Sequence, residues 1–159
     1  MKLFGIAGWS GCGKTTLILK LIPVLTARGV RVATLKHSHH GQAFADAPIV
    51  RGATQTVFAG PERWALVNPL ADGEPSLSLL SRQFRGVDLL LVEGFKRQPH
   101  PKIEVYSAAC GQPPLAADDP SIKALACDEA LTVREIRCFR RNSIGVIADF
   151  ILASAAILG

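Results

Sequence analysis

The sequence lacks the features of secreted disulfide scaffolds and of nucleic-acid-binding surfaces. Its four cysteines, at positions 12, 110, 127 and 138, show no metal-type spacing, so we expect reduced, mostly buried thiols. No run of lysine and arginine with interleaved aromatic residues occurs, and the small cluster at 137–141 is interpreted as a solvated face. The composition therefore indicates neither a disulfide framework nor a nucleic-acid partner.

We predict neither a membrane-spanning segment nor a targeting segment. The most apolar stretch, residues 144–158, contains Asp149 and is too short, at about 15 residues, to cross a membrane. A strand is predicted almost at the first methionine, so we expect no signal peptide, no membrane partner and a cytoplasmic protein.

The bulk composition is that of an ordinary globular chain. Of 159 residues, 48% are hydrophobic and 19% are charged, which favours one domain spanning residues 1–159 with a sizeable core. The net charge of +5 is compatible with a phosphate-rich ligand or an acidic partner.

The most informative segment is glycine-rich and lies near the amino terminus. Residues 8–15, GWSGCGKT, match the phosphate-loop pattern G-x-x-x-x-G-K-[ST] in full. An apolar strand is predicted before it at 3–7 and a helix after it, from residue 16. Glycines let successive backbone N–H groups face one anion, and the helix N-terminus adds partial positive charge. The predicted phosphate-binding residues are Gly8, Ser10, Gly11, Cys12, Gly13, Lys14, Thr15 and Thr16.

Two residues of this segment have specific expected roles, and a third needs comment. Lys14 would reach the β- and γ-phosphates, and the Thr15 hydroxyl would ligate Mg²⁺. Cys12 lies at the helix N-terminus, a position that lowers thiol pKa values, but we interpret it as a loop filler rather than a redox switch.

Strand-like and helix-like segments alternate along the chain, which predicts a three-layer α/β P-loop NTPase fold with a mostly parallel sheet and helices on both faces. Ligands are then expected at the carboxyl ends of the strands. Pro23 predicts a kink or an early helix end, and the alternating residues 102–106 predict a strand near an edge. The predicted strands are 3–7, 30–35, 64–67, 87–93, 102–106 and 122–126, and the predicted helices are 16–28, 76–84 with Ser76 as N-cap, and 144–158 capped by Asn142 or Ser143.

An acidic partner for the phosphate loop is predicted at Glu93. It ends the apolar run 87–93, where a carboxylate is costly unless it faces a metal, water or a cation. We expect Glu93 to contact Mg²⁺ or to orient an attacking water, which makes Lys14 and Glu93 the candidate catalytic residues. The alternative is an exposed strand-end acid. Lys96 would pair with Glu93 or face phosphate, unless it is a surface lysine.

Two further segments end predicted strands. The first segment has three alternative interpretations: contact with a nucleotide or substrate, binding of a transition metal, or a solvated loop. Its residues are Lys36, His37, His39 and His40. A carboxylate at Asp128 could accept N1–H and N2–H₂ of guanine, although a turn or cap aspartate is an alternative interpretation.

Together these residues resemble the MobB family of molybdopterin-guanine dinucleotide biosynthesis adapter proteins. The resemblance rests on GIAGWSGCGKTT at 5–16, KHSHH at 36–40, Gln55-Thr56 with RWAL at 63–66, and LVEGFK at 91–96. It implies a P-loop GTP-binding fold, usually dimeric, with slow GTPase activity. The family's phosphate-loop roles fall on Gly8, Gly11, Gly13, Lys14, Thr15 and Thr16, and its strand-end acid falls on Glu93.

The resemblance also implies partners and reveals one departure. The implied partners are the guanylyltransferase that joins GMP to molybdopterin, and molybdopterin or its guanine dinucleotide. Near Asp46 the chain lacks several residues usual in such proteins, through a shortened or a missing loop. Two other functions stay open: a metal-delivery GTPase that uses His37, His39 and His40, and a small-molecule kinase.

Overall fold

A mostly parallel sheet of seven strands forms the centre of the computed structural model of this chain. The structure describes residues 1–37, 55–62, 64–68, 73–129 and 131–158, without the side chains of Phe58 and Trp64. The chain divides into two compact units, Met1–His37 with Phe84–Gly159, and Ser38–Gln83.

The first unit contains the sheet and two helices. Its helices are α1, Lys14–Ala27, and α3, Ile144–Ser154. Its strands are β1 Lys2–Ala7, β2 Val32–Lys36, β5 Leu89–Glu93, β6 Lys102–Val105, β7 Ile122–Cys127, β8 Arg137–Arg140 and β9 Ala156–Ile157.

The strand order is β2-β5-β1-β6-β7-β8, and the pairs along this path are parallel. β1 has three neighbours: β5 pairs along most of it, β6 pairs from Gly5 onward, and β9 pairs antiparallel with Lys2 and Leu3. The predicted parallel sheet flanked by helices is confirmed, and the carboxyl ends of β1, β2 and β5 lie together at one edge.

The main core lies between the sheet and the two long helices. α1 and α3 contact each other and cover the face of β1 that carries Phe4 and Ile6. On the opposite face, Ala7 packs in a smaller cluster with the 3₁₀ helix Leu115–Ala117. Among the described residues, no helix is long and apolar enough to cross a membrane.

The predicted first helix is confirmed, and of the two alternatives at Pro23, a kink or an early helix end, the early end is wrong. α1 passes Pro23 and continues to Ala27, and Gly29 follows in a left-handed conformation with φ of 76°. Leu21 and Leu25, on either side of the proline, are fully buried in the core. This packing outweighs the local cost of proline, since tertiary contacts override helix propensity.

The prediction of an edge position for residues 102–106 is also wrong. β6 lies between β1 and β7, and its four residues are buried. Its charged residues have partners: Glu104 accepts two backbone N–H groups at 2.8 Å, and Lys102 lies 3.2 Å from Asp119. The alternation of charged and apolar residues in β6 therefore reflects buried charges that have partners, and not exposure of one face of the strand to solvent.

Three elements of the carboxyl-terminal third differ from expectation. β8 was missed because its sequence, RCFR, was interpreted as a solvated charge cluster. The last helix, α3, ends at Ser154, and residues 156–157 form β9 instead of continuing it. Ser143 is the N-cap residue of α3, although its side chain makes no capping hydrogen bond.

The second unit contains a hairpin and a short helix. Strands β3, Thr56–Ala59, and β4, Trp64–Val67, pair antiparallel, and β3 was not predicted. Helix α2, Leu77–Ser81, is shorter than the predicted 76–84. Its predicted cap is confirmed, because the Ser76 hydroxyl accepts the Leu79 N–H at 3.1 Å.

The expectation of reduced cysteines is wrong in this structure. Cys12 is joined to Cys110, and Cys127 is joined to Cys138. Linear spacing did not reveal these pairs because the sheet brings distant positions together. β7 and β8, for example, are neighbouring parallel strands, and they carry Cys127 and Cys138.

Candidate functional site

The loop between β1 and α1 has two glycines in conformations that favour glycine. Gly8 has a φ of 138°, and a Cβ atom there would lie 2.5 Å from the Val105 carbonyl oxygen. Gly13 has a φ of 94° and is the N-cap residue of α1. Residues other than glycine rarely adopt these backbone conformations, so the loop depends on glycine at both positions. Ser10 and Gly11 are exposed at the surface of the loop.

Lys14, the first residue of α1, folds back over this loop. Its Nζ donates a hydrogen bond to the Trp9 carbonyl oxygen at 2.8 Å. Burial lowers the pKa of Lys14, the nearby Glu93 carboxylate raises it, and Lys96 and Lys36 lower it further. Three lysines and one carboxylate therefore share this site, and the surplus positive charge suits a phosphate ligand.

Trp9 braces the loop on its outer side, a role that sequence reasoning did not assign. Its indole Nε1 donates to the Pro113 carbonyl oxygen at 2.8 Å. The Lys96 ammonium lies 4.4 Å from the centroid of the indole ring, within the range of a cation–π contact. The signal available in the sequence was a large aromatic residue inside a loop of small residues.

Glu93 lies beside the start of α1. The parallel register sets Ile6 of β1 opposite Glu93 of β5, so both strands end at the phosphate loop. The Thr15 hydroxyl donates to the Glu93 carboxylate, with 3.0 Å to each of its oxygens. Glu93 is only 8% exposed, so the alternative of an exposed strand-end acid is wrong. A hydroxyl and a carboxylate in contact form a suitable oxygen donor set for Mg²⁺.

Lys36 ends β2 directly beside Glu93. The β2–β5 register pairs these two residues, and Lys36 Nζ lies 3.5 Å from Glu93 Oε1. The same ammonium donates to Thr15 Oγ1 at 3.4 Å. The predicted Lys36 is thus part of the same cluster as Thr15 and Glu93.

Of the predicted histidine group, His37 is described, whereas His39, His40 and the departure near Asp46 lie outside the described residues. The His37 backbone N–H donates to the Glu93 carbonyl at 2.9 Å, and its ring centroid lies 4.7 Å from that of Phe95. Within the described part of the chain, no three His, Cys, Asp or Glu residues are grouped as metal ligands.

A cleft beside the first turn of α1 contains the predicted Asp128. Its volume is about 170 Å³, and its lining residues are Gly13, Thr16, Leu17, Lys20, Asp128, Arg141 and Asn142. Arg141 Nε donates to Asp128 Oδ2 at 2.7 Å, and this hydrogen bond lowers the pKa of Asp128. The predicted Thr16 and Asp128 therefore lie on one cleft next to the phosphate loop.

Sequence reasoning missed three side chains of this cleft: Lys20, Arg141 and Asn142. Lys20 Nζ donates to Asn142 Oδ1 at 3.1 Å. Arg141 Nη1 also reaches the Cys12 carbonyl at 3.5 Å, which ties the cleft to the phosphate loop. No signal in the sequence indicated Arg141, because the strand that it follows, β8, was not predicted.

The sequence was compared with protein families and curated proteins. Residues 3–128 match the family model of MobB, molybdopterin guanine dinucleotide synthesis protein B. A molybdopterin-guanine dinucleotide biosynthesis adapter protein of Haemophilus influenzae is 40% identical, over 95% of this chain and 88% of the relative. The adapter protein of Escherichia coli is 37% identical, over 96% and 92%.

Solved structures give the same match. The crystal structure of molybdopterin-guanine biosynthesis protein B aligns with a TM-score of 0.72 and 29% identity, over 95% of this chain and 98% of that chain. The crystal structure of Bacillus subtilis MobB aligns with a TM-score of 0.76 and 24% identity, over 98% of both chains, and supports the fold alone.

Proposed function

The chain belongs to the MobB family and serves as an adapter in molybdopterin guanine dinucleotide biosynthesis, and we propose that it does so by binding GTP with Mg²⁺. The nucleotide's phosphates would lie on the loop at 8–15, and weak GTP hydrolysis would accompany binding. Each part of this proposal rests on a different part of the site.

One observation supports the proposal most strongly: the Thr15 hydroxyl, in the last residue of the phosphate-loop pattern, contacts the Glu93 carboxylate. A phosphate loop supplies backbone donors but needs oxygen ligands to hold a metal. These two side chains come from different elements and meet at that position. The surrounding lysines add the positive charge that a triphosphate requires.

The residues of the site would divide the chemistry between them. Lys14 would neutralise the β- and γ-phosphates, and Thr15 and Glu93 would hold Mg²⁺. The bound metal would neutralise charge that develops on the phosphate oxygens. Glu93 would also orient the water that attacks the γ-phosphorus. Slow turnover is consistent with an adapter, whose bound state matters more than its rate.

The cleft beside α1 is the proposed site of the guanine base. It adjoins Gly13 and Thr16, which are themselves among the predicted phosphate-binding residues, so a base in the cleft would lie next to the bound phosphates. Asp128 offers two carboxylate oxygens, and guanine presents N1–H and N2–H₂ on one edge. Adenine lacks this pair of donors, so Asp128 would favour GTP over ATP.

The partners follow from the family role and remain part of the proposal. They are the guanylyltransferase that joins GMP to molybdopterin, and molybdopterin or its guanine dinucleotide. We also propose a homodimer located in the cytoplasm. Co-purification with the transferase would test that partner, and light scattering of the purified chain would test the homodimer.

The first test is calorimetric titration with non-hydrolysable analogues of GTP and ATP, each with and without Mg²⁺. We expect preference for the GTP analogue and tighter binding with Mg²⁺. Lys14→Ala should weaken binding at least about tenfold, since it removes a charge-assisted contact worth about 1.5–3 kcal/mol. Lys123→Met, on the exposed surface of β7, is the matched control and should bind as wild type.

Two outcomes would contradict the proposal. Unchanged affinity in Lys14→Ala would mean that the loop at 8–15 does not bind the phosphates. Preference for the ATP analogue would contradict the guanine assignment and favour the kinase alternative. Phosphorylated product without free phosphate would then identify phosphoryl transfer to an acceptor.

A further inference from the structure

The Lys36 ammonium contacts the two residues that are proposed to bind Mg²⁺. It lies 3.5 Å from Glu93 Oε1 and 3.4 Å from Thr15 Oγ1. These two oxygens belong to the residues proposed above as Mg²⁺ ligands. A side-chain cation therefore already interacts with the donor set that a metal cation would use.

We propose that Lys36 is a built-in substitute for Mg²⁺, which neutralises Glu93 in the nucleotide-free protein and gives way when the metal arrives with the nucleotide. The inference rests on the proposed function for the identity of the metal ligands. It adds a competition between one lysine and the metal that the proposed function does not contain.

The need for a cation follows from the burial of Glu93. This residue is 8% exposed, and an unpaired carboxylate at that depth is costly. The Thr15 hydroxyl supplies one hydrogen bond but no charge. The other two lysines at the site are directed elsewhere: the Lys14 ammonium donates to the Trp9 carbonyl, and the Lys96 ammonium lies over the Trp9 ring. Among the described residues, Lys36 is thus the lysine in contact with both Thr15 and Glu93.

The backbone fixes Lys36 in this role. β2 and β5 are parallel neighbours, and their register pairs Lys36 with Glu93 at the carboxyl ends of both strands. The backbone N–H of the next residue, His37, donates to the Glu93 carbonyl at 2.9 Å. The ion pair therefore results from strand register and not from chance contact of two long surface side chains.

The ammonium can also leave at low cost. The Lys36 side chain is 58% exposed, and ion pairs of exposed side chains contribute little stability. A divalent cation with bound phosphates competes well against such a pair, whereas a bare Mg²⁺ must give up part of its hydration without phosphate ligands. The metal is therefore expected to enter with the nucleotide, and the freed ammonium then faces the phosphate loop.

The test measures metal binding without nucleotide. Mn²⁺ is titrated into the nucleotide-free protein, and free Mn²⁺ is followed by electron paramagnetic resonance. We expect Lys36→Met to bind Mn²⁺ about two- to fivefold more tightly than wild type, because the competing charge is gone. Lys36→Arg keeps the charge and should bind as wild type, and Lys123→Met controls for the change in net charge.

A second measurement uses GDP with and without Mg²⁺. The ratio of the two affinities should be larger in Lys36→Met than in wild type, since Mg²⁺-free binding loses its substitute cation. Equal Mn²⁺ affinity in Lys36→Met and wild type, with both folded by circular dichroism, would overturn the inference. Loss of fold in Lys36→Met moves the comparison to Lys36→Gln, with the same expected result.

The two proposals fail in different ways. Absence of any nucleotide binding by wild type would contradict the proposed function, yet the Mn²⁺ titration would still test the role of Lys36. Normal nucleotide binding with no effect of Lys36→Met on Mn²⁺ would overturn only the metal-substitute role.

Discussion

At the scale of single residues, the site depends on one buried carboxylate surrounded by cations. Glu93 accepts the Thr15 hydroxyl and pairs with Lys36, and its charge raises the pKa of Lys14 against the effect of burial. These side chains come from the ends of three elements, because Lys14 and Thr15 both lie at the start of α1. A substitution at Glu93 is therefore expected to affect three other residues at once: Thr15, Lys14 and Lys36.

The first residue-scale prediction concerns Glu93→Gln. Glutamine keeps an oxygen that accepts the Thr15 hydroxyl, so the fold and Mg²⁺-free nucleotide binding should be retained. The gain in affinity that Mg²⁺ provides should fall about tenfold, because a neutral amide is a poor ligand for a hard cation. Titration calorimetry with and without Mg²⁺ measures this gain, and a wild-type response to Mg²⁺ would contradict the role of Glu93.

The second residue-scale prediction concerns Asp128→Asn. The amide replaces one of two acceptor oxygens by a donor, so affinity for the GTP analogue should fall about tenfold, the value of a bidentate base contact. Affinity for the ATP analogue should not change. Asp88→Asn is the matched control, since Asp88 pairs with Arg31 before the first residue of β5, away from the phosphate loop. Equal losses for both analogues would show that Asp128 does not read the base.

At the scale of elements, the conformation of the phosphate loop is determined mainly by its backbone. Gly8 combines a φ of 138° with a carbonyl oxygen 2.5 Å from its missing Cβ. Both the torsion and the close approach exclude larger residues. The neighbouring Trp9 and its hydrogen bond to Pro113 hold the outer part of the loop.

The element-scale prediction uses this close approach. Gly8→Ala should lower the free energy of unfolding by about 2 kcal/mol or more, because torsional strain adds to a backbone clash. Gly111→Ala, at a φ of 64° with nothing within 4 Å of the new Cβ, should lose only about 1 kcal/mol. Urea unfolding at 25 °C gives both values. If both variants lost the same free energy of unfolding, the contact between the new Cβ atom and the Val105 carbonyl oxygen would contribute nothing to the loss.

The sequence predicted most of the elements that carry the site. The phosphate loop, α1, β2 and β5 were recognised because glycine spacing and apolar runs are local signals. β6 was placed at an edge, since the partners of Lys102 and Glu104 lie far away in the chain. The cleft residue Arg141 was missed for the same reason, because its contact with Asp128 depends on the pairing of β7 with β8.

At the scale of the whole molecule, stability should depend on pH through His100. This histidine is 9% exposed, and its pKa is lowered to about 4 from the ordinary 6.5. Burial is the largest cause, the charge of Lys102 acts in the same direction, and Asp119 opposes both. Since the unfolded chain binds the proton first, the free energy of unfolding should fall as pH drops below about 6.5 and level off below about 4.

Urea unfolding at pH 7 and pH 5 measures this effect, and His100→Asn should flatten it. Glu104 acts in the opposite sense, because burial raises its pKa and the folded state then takes up its proton first. The difference between wild type and His100→Asn isolates the histidine. The same pH dependence in both proteins would assign the effect to other groups.

The pairing of β1 has a consequence for synthesis on the ribosome. β1 is made before all the strands that pair with it, because its hydrogen-bonded neighbours begin at Leu89, Lys102 and Ala156. The nascent chain therefore carries a strand and its glycine-rich turn long before any partner strand exists. Such distant pairing slows folding and leaves apolar segments exposed in the meantime. We expect a nascent chain halted before residue 89 to stay protease-sensitive and to become protected only when the second half has emerged.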